Sequence, residues 1–230
     1  MPDRLHRYQG QAIEVTWSSL RCIHVAECLR RLGVVFDTRR APWVTPDAAD
    51  ADEVAATILY CPSGALHFAR TDGGADERPD AVNTIVVQRD GPLYVRGDLR
   101  LQTEEGEVVM RDTRLALCRC GKSQNKPFCD NSHRPIEFRH DGALGENRLR
   151  PARGVAGRGL TIVPEKDGPL RVRGAMELRG AVELRGAMEL RGADGETVYT
   201  GHAGELCRCG HSGNKPFCDN THERIGFKSE

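Results

Sequence analysis

The sequence predicts an α+β chain of several small units, most of it β-rich and built from two copies of one module. Three observations predict this. A stretch with three cysteines and one histidine, Cys118 to His133, recurs at Cys207 to His222 with identical spacing. The strand-and-turn pattern ahead of it recurs too. The 230 residues are 39% apolar and only 5% aromatic, with 25 glycines. That composition is poor for one large core and suits small units held partly by metal.

Residues 1–70 form the first unit. Tyr8 to Trp17 alternates as a strand, and Ala26 to Leu32 reads as a short helix. Asp47 to Leu59 reads as a second helix, with Asp50, Asp52 and Glu53 at its start, where carboxylates oppose the helix dipole. Trp17 and Trp43 are expected to anchor this unit's core. Residues 71–80, Thr-Asp-Gly-Gly-Ala-Asp-Glu-Arg-Pro-Asp, have the composition of a linker.

From residue 81 the chain repeats itself. Thr84-Ile85-Val86-Val87 and Asp90-Gly91-Pro92-Leu93 correspond to Thr161-Ile162-Val163-Pro164 and Asp167-Gly168-Pro169-Leu170. Val95-Arg96-Gly97 then corresponds to Val172-Arg173-Gly174. Each copy reads as strand, Asp-Gly-Pro turn, strand, polar turn, strand, then the Cys/His stretch. Residues 81–140 and 158–230 are therefore two modules, with 141–157 as a second linker.

The second module carries an insertion. Residues 173–178, 179–184 and 185–190 are near-identical hexads, Arg-Gly-Ala-Met-Glu-Leu with one Val for Met. Gly91 to Cys118 spans 27 positions and Gly168 to Cys207 spans 39, a difference of two hexads. Six is even, so a strand keeps its face through the repeat. A helix turns about 600° in six residues, so successive hexads would not share a face. An elongated hairpin or looped-out strand is expected here.

Lys plus Arg and Asp plus Glu are both 33, a net charge of zero. That offers no electrostatic case for nucleic acid or an anionic membrane. The apolar runs are too short for a transmembrane helix, and the polar start lacks a signal-peptide core. A cytoplasmic, reducing location is expected. It agrees with an odd total of nine cysteines, which argues against a pure disulfide framework. His6, His67, His140 and His202 lie outside any ligand spacing and are expected at the surface. No phosphate loop or nucleophile elbow is present, and the chain is expected not to be an enzyme.

The nine cysteines fall into threes: Cys22, Cys28, Cys61; Cys118, Cys120, Cys129; and Cys207, Cys209, Cys218. Thiolate with imidazole selects zinc or iron–sulfur over hard cations. Structural zinc sites use wider pairs than the C-x-C of Cys118 and Cys120 or of Cys207 and Cys209. The stretch resembles the CDGSH iron–sulfur domain of NEET-type proteins. Cys118, Cys120, Ser123, Pro127, Cys129, Asp130, Ser132 and His133 match that motif, as do Cys207, Cys209, Ser212, Pro216, Cys218, Asp219, Thr221 and His222. The motif glycine is replaced by Asn131 and Asn220, the side chain next most tolerant of positive φ.

The resemblance implies one [2Fe–2S] cluster per motif, held by Cys118, Cys120, Cys129 and His133 and by Cys207, Cys209, Cys218 and His222. Because single-motif relatives are homodimers, it also implies a monomeric intramolecular pseudo-dimer, with short helices at the cluster motifs. Histidine in place of a thiolate raises the reduction potential and adds a nitrogen that titrates near neutrality, so the clusters are expected to be redox-active and pH-sensitive. Asp130 and Asp219 are expected to cap the helix that carries the histidine. Ser132 and Thr221 are expected to bond to a cluster sulfur.

Cys22, Cys28 and the Cys61-Pro62-Ser63-Gly64-Ala65 run resemble a divergent monocluster, ferredoxin-like domain in which Val25 replaces the middle cysteine. That resemblance implies a [3Fe–4S] cluster or, with a non-cysteine fourth ligand such as His24, a [4Fe–4S] cluster. The expected function is electron transfer or cluster transfer to a redox partner or apo-acceptor protein. The alternatives are a redox enzyme or sensor and a zinc-stabilised interaction module.

Overall fold

A turn at Gly10 splits the alternating N-terminal stretch into two strands, because the Gly10 N–H bonds the Ile13 carbonyl at 3.0 Å. A Cβ at Gly10 would lie 2.7 Å from Asp47 Oδ1, so a side chain there would not fit. The computed structural model describes residues 5–151, 159–180, 182–183, 191–192 and 198–229. It divides into two units, Met1–Arg78 and Pro79–Glu230.

In the first unit, β1 (Leu5–Gln9) pairs antiparallel with β2 (Ile13–Ser18), which pairs antiparallel with β3 (Leu66–Arg70). Between β2 and β3 come α1 (Glu27–Arg31) and α2 (Ala51–Ile58). The single helix expected over 47–59 is divided. Pro46–Ala48 forms a 3₁₀ turn, and Asp50 then caps α2 by accepting the Asp52 N–H at 2.8 Å. Ile13, Val15, Val35, Phe36, Val54 and Ile58 form the core. Trp17 and Trp43 pack on it edge to face, 5.2 Å apart. Residues 71–78 fold back on β3 rather than acting only as a connection. The Arg70 N–H bonds Asp76 Oδ1 at 2.7 Å, and His67 pairs with Glu77 at 2.9 Å. His67 is thus half-buried, not the free surface group expected.

The second unit places β4 (Thr84–Val87), β5 (Leu93–Gln102), β6 (Val108–Leu117), β7 (Gly159–Pro164), β8 (Leu170–Arg179) and β11 (Val198–Leu206) in one six-stranded sheet. Its two modules exchange first strands. β4 pairs antiparallel with its own β5 through Thr84–Val87 and parallel with β8 through Glu177–Arg179. Symmetrically, β7 pairs antiparallel with β8 and parallel with β5 at Asp98–Leu101. The short β4 and β7 therefore share one place in the sheet between the long β5 and β8. β6 and β11 flank them.

Gly97 and Gly174, matched in the two copies, sit where β5 and β8 pass from one short partner to the other. Their φ values are +135° and +127°. An added Cβ would meet Asn83 at one and the Gly159 carbonyl at the other. Asn83 ties the modules together. Its Oδ1 accepts the Asp98 N–H at 3.0 Å, its Nδ2 donates to the Ala175 carbonyl at 2.8 Å, and its own carbonyl accepts the Glu177 N–H at 2.9 Å. Asn83→Ala is expected to cost about 1–2 kcal/mol in urea unfolding, because it removes two part-buried hydrogen bonds.

Alternate residues of β5 and β8 build the core, among them Leu93, Val95, Leu99, Leu170, Val172, Met176 and Leu178. In the first hexad Met176 and Leu178 face inward. Val182–Glu183 (β9) pairs with Arg191–Gly192 (β10), but 181, 184–190 and most of the hairpin expected from the hexads lie outside the described residues. Residues 141–150 do more than link. Leu149 enters the core, and Arg150 bridges Ala203. Among the described residues no helix is long and apolar enough to cross a membrane.

Candidate metal centres

Each Cys/His stretch follows the last strand of its module and folds back on it. Cys118 N–H bonds the Pro127 carbonyl at 2.8 Å, and Cys129 N–H bonds the Ala116 carbonyl at 2.9 Å. In the second copy Cys207 N–H bonds Pro216 at 2.7 Å and Cys218 N–H bonds Glu205 at 2.9 Å. The motif serine closes the loop between ligands. Ser123 Oγ donates to the Phe128 carbonyl and accepts the Asn125 N–H, and Ser212 repeats this with Phe217 and Asn214. Lys126–Pro127 and Lys215–Pro216 are both cis.

Asn131 and Asn220 take the left-handed conformation predicted from the sequence, with φ of 70° and 64°. The Asn131 N–H reaches Cys129 Sγ at 3.4 Å, and the Asn220 N–H reaches Cys218 Sγ at 3.5 Å. The aspartates do not act as simple helix caps. Asp130 Oδ1 accepts the Ser132 N–H while its Oδ2 accepts the Gln124 N–H. Asp219 does the same for Thr221 and Gly213. Each aspartate thus clamps the histidine-bearing turn to the loop after C-x-C. Burial works against ionising Asp130, but these bonds outweigh it and hold the carboxyl below its usual range. Only the second copy forms a helix here, α3 (Thr221–Arg224), so the short helix expected at both motifs is present once among the described residues. Thr221 Oγ1 accepts from Arg224 at 2.8 Å.

The sulfurs and imidazoles stand in pairs. Cys118 Sγ and Cys120 Sγ are 3.8 Å apart, and Cys129 Sγ is 3.4 Å from His133 Nδ1. The second copy has 3.7 Å for Cys207–Cys209 and 3.3 Å for Cys218–His222. Two ligands on one tetrahedral metal with bonds of about 2.0–2.3 Å sit about 3.5–3.8 Å apart. Among the described residues no three His, Cys, Asp or Glu side chains converge on one metal position.

The protonation chemistry suits metal. The Cys120 thiol bonds to Cys118, which holds the first thiol below its ordinary range and pushes the second well above it. Cys207 and Cys209 behave alike. Burial pushes the Cys129 thiol up to about 12. Three thiolates can coexist here only beside a cation. Burial, then Arg134 and Arg119, lowers the pKa of His133, which favours the neutral imidazole, the form able to bind a metal.

The residue between the paired cysteines, left unassigned by sequence reasoning, holds each site in place. Arg119 is buried. Its Nε donates to the Gly91 carbonyl at 3.0 Å and its Nη2 to Gln88 at 2.6 Å, pinning the Asp-Gly-Pro turn. Arg208 repeats this on Gly168 and Glu165. Arg119 Nη1 is buried without a hydrogen-bond partner. Burial lowers the Arg119 pKa, and Cys207 of the other motif is the foremost charge opposing that shift. Arg208 is likewise opposed first by Cys118. The motifs abut at their turns. A Cβ on Gly121 would lie 2.6 Å from the Cys209 carbonyl oxygen, and one on Gly210 would lie 2.8 Å from that of Cys120. The signal that could have found Arg119, Arg208 and the two glycines was their identity in both copies.

In the first unit, Cys22, Cys28, Cys61 and His24 line one cavity with Trp17 and Trp43. Cys22 Sγ is 3.9 Å from His24 Nδ1. His24 and Ala26 have φ of 53° and 65°, so the Cys22–Cys28 segment curls instead of extending. Burial pushes the Cys28 thiol up to about 11, with Cys61 and Cys22 adding to it. Three cysteines and a histidine around one cavity again suit a thiophilic cation.

Residues 90–134 and 167–223 match the family model for the iron-binding zinc finger of CDGSH type. Residues 8–71 match the divergent 4Fe–4S mono-cluster model. The chain belongs to the CDGSH-type iron-binding family. It carries two CDGSH domains behind a mono-cluster domain and is an iron–sulfur protein. Over 61 residues it is 39% identical to the uncharacterized protein YjdI of Escherichia coli K12, and equally to that of strain O157:H7. The match covers 26% of this chain and 80% of the relative. No solved structure matches the chain.

Besides His67, two further expectations about histidines outside the ligand sets are corrected. His140 is mostly buried, and burial, then Arg119, lowers its pKa to about 4. Its N–H bonds Asp90 at 2.7 Å, and its Nδ1 accepts the Gly142 N–H. His202 is partly buried, with Nδ1 shielded from solvent. His211 is exposed.

Proposed function

We propose that the chain is an electron or cluster carrier. In this reading Cys118, Cys120, Cys129 and His133 hold one [2Fe–2S] cluster, and Cys207, Cys209, Cys218 and His222 hold a second. The observation that carries it is the two-and-two pairing of ligands, 3.8 and 3.4 Å in one motif and 3.7 and 3.3 Å in the other. Two irons with two ligands each account for that pairing, whereas one zinc would draw all four to one point. Such a cluster, when bound, supplies one-electron redox capacity at a potential raised by the histidine.

The chain's own residues set the conditions. Asn131 and Asn220 aim N–H groups at ligand sulfurs, and Arg119 and Arg208 place buried positive charge between the motifs. Cys22, Cys28 and Cys61 would hold a [3Fe–4S] cluster or, with His24 as fourth ligand, a [4Fe–4S] cluster. Both modules of the exchanged-strand sheet come from one chain, which favours a monomer. Its partner would be a redox protein or an apo-acceptor in the cytoplasm, not nucleic acid or membrane.

Iron, sulfide and zinc per chain on anaerobically purified protein test this. About four iron are expected from the paired motifs, and seven or eight with the N-terminal site filled. Zinc without sulfide would sink it. His133→Cys is expected to lower the potential of its site and to keep visible absorbance to a lower pH. Bleaching at the wild-type pH would refute the role given to the histidine.

A further inference from the structure

A cavity of about 340 Å³ opens beside the second CDGSH motif, with Arg148, Arg150, Arg171 and Arg173 on its walls and Cys218 at its edge. We propose that it binds a compact phosphate-bearing anion, of the size of a diphosphate group, next to the second metal centre. The site goes beyond the carrier reading and does not depend on which cluster the motif holds.

The sheet register builds the site. Arg150 donates its N–H to the Ala203 carbonyl at 2.9 Å, and Ala203 faces Arg173 across β11 and β8. Arg150, Ala203 and Arg173 thus form one row, with a methyl group between two long cations. Leu149 and Val172 point to the core, so by strand alternation Arg148, Arg150, Arg171 and Arg173 share the opposite face. A guanidinium cannot shed its charge, so four around one cleft repel unless an anion is present. Arg171 pairs with Glu165. Among the described residues Arg148, Arg150 and Arg173 have no carboxylate partner. Glu205 and Asp219 also border the cleft and offset part of that charge, but four arginines against two carboxylates leave its lining net positive. Residues 152–158, which follow the strap bearing Arg148 and Arg150, contain no carboxylate.

The first module differs at the matching face. Arg114 stands where Ala203 does and is buried. Arg96, which matches Arg173, is paired with Asp80 at 2.9 Å. Cys129 is buried, whereas its counterpart Cys218 is partly exposed at the cleft. The two otherwise matched modules therefore differ at this face in three ways, and all three open the second to an anion. The volume lies within the usual range for small-molecule sites, and planar guanidinium forks match phosphate oxygens in pairs.

The test is isothermal titration of inorganic diphosphate into the full-length, iron-loaded chain at about 50 mM and then about 150 mM salt. Saturable binding with one site per chain is expected, weakening as salt rises. Arg150→Gln with Arg173→Gln should weaken it at least about tenfold, with thermal unfolding unchanged because both side chains are exposed. If that pair fails to fold, Arg173→Glu alone should give the same loss. Absence of saturable heat, equal binding by folded variants, or a stronger response to an acidic peptide than to diphosphate would each overturn the proposal.

Discussion

Gly121→Ala is expected to destabilise the unit Pro79–Glu230 by about 2–5 kcal/mol. Two costs add. Gly121 has φ of +79°, which an alanine adopts only at about 1–2 kcal/mol. The new Cβ would also stand 2.6 Å from the Cys209 carbonyl oxygen, a backbone atom with no rotamer to give way. Such overpacking costs about 1–3 kcal/mol. Gly106→Ala separates the two costs. Gly106 has φ of +93° and nothing within 4 Å of an added Cβ, so only the conformational cost applies there. Equal midpoints for the two variants in urea unfolding would mean that the contact between motifs adds nothing. Because Gly121 meets Cys209 and Gly210 meets Cys120, strain at either should loosen both metal loops. Iron retention is the second readout.

Cys129→Ala is expected to lower the iron of the same unit from about four to about two, and Cys218→Ala should do likewise, by the ligand count of one four-ligand site per motif. Visible absorbance should fall in step. Loss of all iron from one substitution would mean that the motifs hold a single shared site. Unchanged iron would remove Cys129 from the ligand set. The variants should also differ in stability. Cys129 is buried against the strand that carries Ala116, whereas Cys218 borders an open cleft. The truncation at Cys129 therefore leaves the worse void and the larger loss.

Much of the metal chemistry was legible in the residues because ligand spacing is local. Cys118 pairs with Cys120 and Cys129 with His133 in one loop held by Ser123 and Asp130, all within sixteen positions. The left-handed Asn131 and Asn220 and the Asp-Gly-Pro turns were legible for the same reason. The helix expected over 47–59 was misread at its start because Asp50 caps from within an otherwise helical pattern. Tyr8 to Trp17 was misread as one strand because the alternation passes straight through the turn at Gly10. Nothing local to His140 announces Asp90, fifty positions earlier, as its neighbour, so its burial is not legible in the residues around it.

The Cys118–Cys120 and Cys129–His133 pairs and their copies, the two-module plan and the turns beside them are written in short stretches of residues, because they depend on interactions within a few positions. The remainder is written only in the folded chain. The exchange that seats β4 and β7 between β5 and β8, the contact of Gly121 with Cys209, and the row of Arg150, Ala203 and Arg173 join residues from 23 to 93 positions apart. Those pairings follow from burying Leu93, Val95, Leu170 and Val172 in one shared core. Burial is non-directional, so no short stretch of chain announces which distant strand will complete it.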